Sequence, residues 1–234
     1  MLKRLYHSSS HIGSNTIINN NLIESKIFNN AIKLIPKYGF SKNCINESIK
    51  NLKYSDSLQS IISWQSDKSY EFQLMLYFLK QKRQELENFT KNTKVEGVDE
   101  YEKLSKLIKY RLSLNSPIIN ELSQGMSQLI LPYNLNESID ELYNLSDDLA
   151  FYSGDKSHSF DWYAKRFTIG SIYVKSELFM LNDTSENFEN TQEFVDKKID
   201  EFKMLSDTYN NIEQWAIFNG ISLINLIKSQ LIRG

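Results

Sequence analysis

NLNESIDELYNLSDDLAFYSGDKSHSFDWYAKRFTIGSIYVKSELFML, residues 134 to 181, is the stretch whose reading decides the fold. Leu135, Ile139, Leu142, Leu149 and Tyr152 fall on one stripe when residues are placed about 100° apart, the spacing of an amphipathic helix. Asn136 with Glu137 to Asp140 makes an acidic first turn, which complements the helix dipole. Gly154 ends that helix. A polar Gly-Asp turn follows, and a second helix is predicted from about 160 to 182. Its apolar side is read as Phe160, Tyr163, Phe167, Ile169, Ile172 and Tyr173.

Working outward, the same periodicity predicts an all-α protein of about ten helices. One covers 22 to 38 and ends at Gly39, with Ile27, Ala31, Leu34 and Ile35 at helical spacing. Short helices follow near 42–51 and 56–63. Longer ones span about 67–91, with Phe72, Met75, Leu76 and Leu79 on one side, and 99–114. Pro117 opens a sixth helix and Pro132 closes it. A charged ninth helix covers 187–209. The last covers 211–232. The chain has 234 residues with only eight Gly and three Pro, too few for a loop-rich β-fold, and that length supports a sizeable core.

The formal net charge of −2 gives no general attraction for polyanions. The charge is uneven, however. Residues 26 to 53 hold Lys26, Lys33, Lys37, Lys42, Lys50 and Lys53 against Glu47 alone, while 186 to 213 hold eight acids against three lysines. Either run is read as a solvated helix face or a partner surface. Cys44 is the single cysteine, so no internal disulfide and no thiolate metal site is predicted, in keeping with a reducing or matrix-like compartment. Residues 1–23 contain Lys3, Arg4, His7, His11 and four Ser but no acid. That composition fits a mitochondrial targeting segment; a disordered Asn/Ser-rich tail is the other reading.

Groups that catalysis needs are missing. There is no Gly-rich phosphate loop and no HExxH or ExxH pattern. Asp155, His158 and Asp161 share a polar turn and are read as solvated rather than metal-binding. Asp147 and Asp148 are adjacent and point about 100° apart on a helix, which rules them out as a facing acid/base pair. No catalytic and no metal-ligating residue is assigned. The first three helices have the spacing of a helix-turn-helix, which raises a DNA-binding regulator with a ligand pocket as an alternative function. Its recognition helix, DSLQSIIS, lacks Arg and Lys and carries Asp56, a poor set for base edges. The basic excess there is equally able to approach anionic lipid.

Residues 211 to 232 place Trp215, Ala216, Ile217, Leu223, Ile224, Leu226, Ile227 and Leu231 on an apolar arc of about 200°, with Phe218 intruding on the polar side. Asn219, Ser222, Asn225 and Lys228 unsuit it to cross a bilayer. An amphipathic helix at the membrane interface and a helix buried in a core or dimer contact both fit the pattern; its terminal position and shortage of acids favour the membrane. The membrane-binding set is therefore Trp215, Ile217, Phe218, Leu223, Ile224, Leu226, Ile227 and Leu231.

One resemblance is specific. RLSLNSPIINELSQGMSQLILPYN (111–134) and the run from LSDDLAFYSGD at 145 to 199 resemble a family of mitochondrial ubiquinone-biosynthesis accessory proteins, lipid-binding relatives of the tetracycline-repressor fold. The pattern DD-x3-Y-x-GD-x4-F-x-WY-x-KR is matched by Asp147, Asp148, Tyr152, Gly154, Asp155, Phe160, Trp162, Tyr163, Lys165 and Arg166. IY-x3-EL-x-ML-x-D is matched by Ile172, Tyr173, Glu177, Leu178, Met180, Leu181 and Asp183. LIPKYGFS, 34 to 41, is similar to the family's first-helix signature.

The resemblance implies a tetracycline-repressor-like bundle whose helix-turn-helix has lost its DNA role, enclosing a pocket for an isoprenoid or phospholipid. It implies no catalysis, no cofactor and no nucleic-acid partner. It implies work on the matrix face of the mitochondrial inner membrane, as a peripheral protein, with the di-iron demethoxyubiquinone hydroxylase and the coenzyme Q biosynthetic complex as partners. The expected organisation is a targeting segment (1–23), a degenerate helix-turn-helix unit (24–66), a lipid-binding bundle (67–209) and an amphipathic membrane helix (210–234). Pocket candidates by apolar spacing are Leu142, Leu145, Leu149, Ile169, Ile172, Tyr173 and Leu178. Asp161, Trp162, Tyr163 and Arg166 are the candidate partner surface, since Trp, Tyr and Arg anchor interfaces through large area and directed polar contacts. A homodimer is left open.

Overall fold

A computed structural model describes residues 18–55, 57–59, 67–93, 99–157, 160–206 and Asn225. The described residues form α-helices joined by turns, with no strand among them. In chain order these are α1 (Ile23–Tyr38), α2 (Lys42–Asn51), α3 (Tyr70–Asn92), α4 (Glu100–Ser113), α5 (Ile119–Leu129), α6 (Leu135–Ser153), α7 (Phe160–Met180) and α8 (Glu189–Ser206). Three short 3-10 turns precede α5, α6 and α8, at Ser116–Ile118, Pro132–Asn134 and Glu186–Phe188. The helix expected near 56–63 falls mostly outside the described residues. So do the last helix with its membrane-binding set (Asn225 excepted) and residues 1–17 of the expected targeting segment.

The chain divides into two compact units. The first comprises residues 1–85 and 114–141, the second 86–113 and 142–234. In the first, α1 and α2 pack together. Ile27, Phe28, Ala31 and Ile35 form α1's buried face. Two small polar side chains of α2 tie down backbone carbonyls of α1. Ser48 Oγ donates to Ile27 O at 2.6 Å, and Cys44 Sγ donates to Ala31 O at 3.2 Å. Burial pushes the Cys44 thiol up to about 11, so at neutral pH it is a packing group rather than a thiolate. Ser41 caps α2 by accepting from the Cys44 N–H. Gly125 of α5 lies where a Cβ would come within 2.7 Å of Met75 Sδ and 2.8 Å of the Phe40 ring, so a side chain there collides with two buried neighbours.

The largest buried charge pair of this unit is Arg83 with Glu141. It is bidentate, with Nε to Oε1 at 2.8 Å and Nη2 to Oε2 at 3.2 Å. Both side chains are almost wholly enclosed. Each partner is tolerable inside only because the other is present.

In the second unit, α4 and α7 both pack on α8, and α4 also touches α7. Leu104, Leu107 and Ile108 of α4, Ile169, Ile172 and Met180 of α7, and Val195, Ile199 and Phe202 of α8 supply the core. Asp183 fastens the start of α8. Its carboxylate accepts from the backbone and hydroxyl of both Ser185 and Thr191. Burial alone would raise it, yet those four donors hold it at about 2.

Three expectations change. Pro117 is the second residue and Pro132 the first residue of a 3-10 turn, so α5 is shorter than predicted and Pro132 leads into α6 instead of merely closing α5. The stripe expected along α6 divides: Leu149 is buried while Leu135 and Ile139 are exposed. The single apolar side expected for α7 is really two. At about 100° per residue, Phe160, Tyr163 and Phe167 lie roughly opposite Ile169, Ile172 and Tyr173. The latter three are buried, and Tyr163 and Phe167 are exposed.

Two substitutions test this packing. Glu141→Ala strands Arg83 and should cost about 3–5 kcal/mol, whereas Arg83→Met combined with Glu141→Leu should recover most of that loss. A double-mutant cycle by urea unfolding reads the difference; an additive pair contradicts the assignment. Gly125→Val should cost about 1–3 kcal/mol by overpacking, seen as a lower Tm.

Candidate functional site

The site is built where α6 stops and α7 begins. Ser153 is the last helical residue of α6, and Gly154 continues with φ 95°, in the region that side chains avoid. The Asp155 N–H then donates to the Ala150 carbonyl at 3.0 Å. Asp155 accepts from the Ser157 N–H at 2.9 Å and from its hydroxyl at 2.7 Å, a local turn of the kind Asp favours. This folds the loop back so that the Asp155 carboxylate points inward, 1% exposed.

Lys165 and Arg166, in the second turn of α7, meet it there. Lys165 Nζ lies 2.9 Å from Asp155 Oδ1 and 2.6 Å from Glu100 Oε1 of α4. Arg166 Nη1 donates to Asp155 Oδ2 at 2.8 Å, and its Nε donates to Asp147 Oδ1 of α6 at 2.6 Å. Arg166 and Asp147 are both buried. Two cations and three carboxylates thus join α4, α6, the turn and α7. Desolvation alone would raise the Asp155 carboxyl, but Lys165, Ser157 and Arg166 outweigh it and hold it at about 2. Desolvation likewise opposes the charge on Lys165, and Glu100 and Asp155 more than offset it, so its ammonium is held above the ordinary range.

Trp162 stands directly on this network. The Arg166 guanidinium lies 3.8 Å from the centre of its ring and donates to its backbone carbonyl at 3.2 Å. That is a cation–π contact with a desolvated cation, the stronger kind. The ring also meets Tyr143 and Tyr163 edge-on, at 6.3 and 4.7 Å. Trp162 is half-buried, and beside it Tyr163 is 42% exposed.

One turn further along α7 is Phe167, 50% exposed. Val174 and Leu178, half-buried, continue the same line at helical spacing. This side of α7 therefore carries an apolar stripe of Tyr163, Phe167, Val174 and Leu178, away from the buried one. Gly170 lets α6 approach between them: a Cβ there would meet Ser146 Oγ at 2.7 Å and Leu142 at 3.6 Å.

Of the four residues expected to face a partner, Tyr163 and part of Trp162 reach the surface. Arg166 does not: it is 5% exposed and committed to two carboxylates, because an unpaired guanidinium there would be too costly. The Asp161 side chain lies outside the described set. Asp155, expected to be solvated, is a buried anchor. Among the pocket candidates, Leu145, Leu149, Ile169, Ile172 and Tyr173 are buried and Leu142 is at their margin. Leu178 does not join them, since it lies on the stripe side of α7. Sequence reasoning missed the roles of Asp147, Lys165 and Glu100 and the exposure of Phe167. It also missed two buried hydroxyls of α7, Thr168 Oγ1 and Ser171 Oγ, which make no hydrogen bond within the described protein. Helical phasing applied to each aromatic separately would have found Phe167.

Among the described residues no group of three or more His, Cys, Asp or Glu is placed to hold a metal ion, and no helix is long and apolar enough to cross a membrane.

The acid limb of stability follows from the depressed carboxyl of Asp155. Its folded value lies below the ordinary 3.8, so its contribution is fully present above about pH 4 and is lost as pH falls toward 2. Asp155→Asn should lower stability at pH 7 by on the order of 2 kcal/mol and should flatten the fall between pH 4 and 2. Chemical denaturation across that range checks it.

Apart from Glu100, this geometry sits inside the segment that the COQ9 family model matches, residues 135–206. The chain is 36% identical over 213 residues to "Ubiquinone biosynthesis protein COQ9, mitochondrial" of Saccharomyces cerevisiae, covering 86% of this chain and 81% of that one. It is 32% identical to "Ubiquinone biosynthesis protein coq9, mitochondrial" of Schizosaccharomyces pombe, covering 97% and 87%. A protein of the same description from Eremothecium gossypii is 29% identical, covering 99% and 98%.

Proposed function

The chain belongs to the COQ9 family, and from that premise we propose that it is a non-catalytic, lipid-binding accessory protein of mitochondrial ubiquinone biosynthesis. In this reading it takes quinone intermediates from the inner membrane and presents them to the di-iron demethoxyubiquinone hydroxylase. The observation that carries it is the second apolar side of α7. Tyr163 and Phe167 stand exposed one turn apart, beside a Trp162 fixed from beneath by Arg166. Aromatic side chains held rigid at a surface lose little freedom on binding, and they supply most of the energy of protein interfaces.

The other side of α7 suits the lipid. Leu145 and Leu149 of α6 with Ile169, Ile172 and Tyr173 of α7 offer the apolar wall for an isoprenoid tail. The buried Thr168 hydroxyl, next to Ile172 on the helical wheel, offers a donor for a guest that carries oxygen atoms, since buried hydroxyls are usually hydrogen-bonded. We place the tetracycline-repressor-like arrangement in the same reading, with α1 and α2 as the remnant of a DNA-binding unit. The amphipathic stretch 211–232 then rests on the matrix face of the inner membrane, its Trp215 and Phe218 at headgroup depth. No group placed for bond-making is assigned. The chain's task is to lift a nearly insoluble molecule to where another protein reacts it.

Tyr163→Asp with Phe167→Asp should weaken capture of the hydroxylase by about 30-fold or more while helicity and Tm stay unchanged, because both positions are exposed. Undiminished capture would sink the docking role. Native mass spectrometry of the purified chain should show a bound isoprenoid or phospholipid; a ligand-free mass on gentle ionisation would sink the carrier role.

A further inference from the structure

The lysine excess of residues 26–53 resolves, in the structure, into an ordered feature of the first unit. Many of the protein's surface lysines pair with a nearby carboxylate: Lys50 with Glu47, Lys82 with Glu85, Lys91 with Glu87, Lys106 with Glu102, Lys109 with Asp196 and Lys198 with Glu201. Lys26, Lys33 and Lys37 differ. All three are exposed, and none has a carboxylate within ion-pairing distance among the described residues. At about 100° per residue they fall within an arc of roughly 40° on α1, in a row about 16 Å long. Glu24, the one acid of α1, points about 160° away from Lys26. Another carboxylate, Glu121, approaches the far end of the helix, beside Gly39.

Two large apolar residues stand at the near end. Leu22, the N-cap, is 50% exposed and Ile23 is 51% exposed. On the helical wheel they bracket the lysine row, Leu22 on one side and Ile23 on the other. The opposite face of α1, with Ile27, Phe28, Ala31 and Ile35, is committed to the core. So α1 offers one clear surface: a row of point charges with a small greasy tip.

We infer that this face of α1 is a docking surface for an anionic phospholipid bilayer, separate from the terminal segment 211–232. Charge complementarity selects this occupant. Lysine ammonium groups on flexible stems reach phosphates at many positions without needing fixed geometry, and exposed Leu22 and Ile23 enter the headgroup layer beside them. Duplex DNA fits less well. The row contains no arginine, asparagine or glutamine aimed at base edges, and an apolar tip gains nothing against a phosphate backbone. An overall charge of −2 does not oppose this, because attraction acts within a Debye length of about 8–10 Å. The inference stands on α1 alone and holds whether or not the terminal segment binds membrane.

The test uses the full chain and phosphatidylcholine vesicles prepared with and without cardiolipin. Each lysine at an anionic surface is worth roughly a five-fold gain, so K26Q/K33Q/K37Q should bind the cardiolipin vesicles about 100-fold more weakly. Binding to neutral vesicles and Tm should not change. K26R/K33R/K37R, which keeps the charge, should bind as the parent does, and high salt should abolish the parent's preference for cardiolipin. Changing Trp215 and Leu223 to Ser reads the terminal segment instead, and should lower binding to both vesicle types alike. The inference is overturned if the triple Gln variant binds cardiolipin vesicles like the parent, or loses binding equally on neutral ones. It is also overturned if the parent retards duplex DNA through these lysines while ignoring vesicles.

Discussion

A guanidinium buried between two carboxylates is the constraint on which the second unit depends. Arg166 cannot stay inside without Asp147 on one side and Asp155 on the other. Buried ion pairs of this kind add little net stability over an apolar replacement, since desolvation consumes most of the attraction. What they impose is geometry, because the partners tolerate few alternative placements. Here that geometry joins the end of α6, the Gly154–Asp155 turn and the second turn of α7. The rotation of α7 about its own axis follows from it.

That rotation decides what α7 can do. A surface helix normally hides one apolar stripe and shows a polar face. α7 instead hides Ile169, Ile172 and Tyr173 and displays Tyr163 and Phe167. Turned by half a revolution, it would bury the aromatics and expose the aliphatic set. The proposed division of labour, a guest on one side and a protein partner on the other, thus depends on charges that would touch neither. Because both faces belong to one rigid helix, a shift of α7 on filling of the interior would move the aromatic platform as well.

Much of this was readable from letters alone, and what was not has physical reasons. Helix positions came through because apolar spacing and the Gly and Pro punctuation agree locally: Gly39 and Gly154 stop helices where expected, and α1 and α2 lie where periodicity puts them. The two faces of α7 did not come through, because a helix apolar on opposite sides has a weak period, and grouping its hydrophobic residues merged two stripes into one. Asp155 was misread since nothing local distinguishes a solvated turn carboxylate from one aimed inward; its partners Lys165 and Arg166 lie ten and eleven residues downstream. The resemblance singled out DWYAKR without separating its parts: Arg166 is enclosed and Tyr163 is exposed. Lys26, Lys33 and Lys37 were visible as an excess of charge, but that none pairs with a carboxylate among the described residues required three dimensions.

Lys165 and Arg166 are adjacent in the chain, and such dibasic pairs are where trypsin-like proteases cut. Here the first ammonium is gripped by Asp155 and Glu100 and the second guanidinium is enclosed. The scissile bond between them also lies within a continuous helix, which a protease must unwind before it can cleave. The same pairs that orient α7 therefore hide its most vulnerable peptide bond. Survival of that bond under limited trypsin digestion is a direct report on whether those charges are still in place.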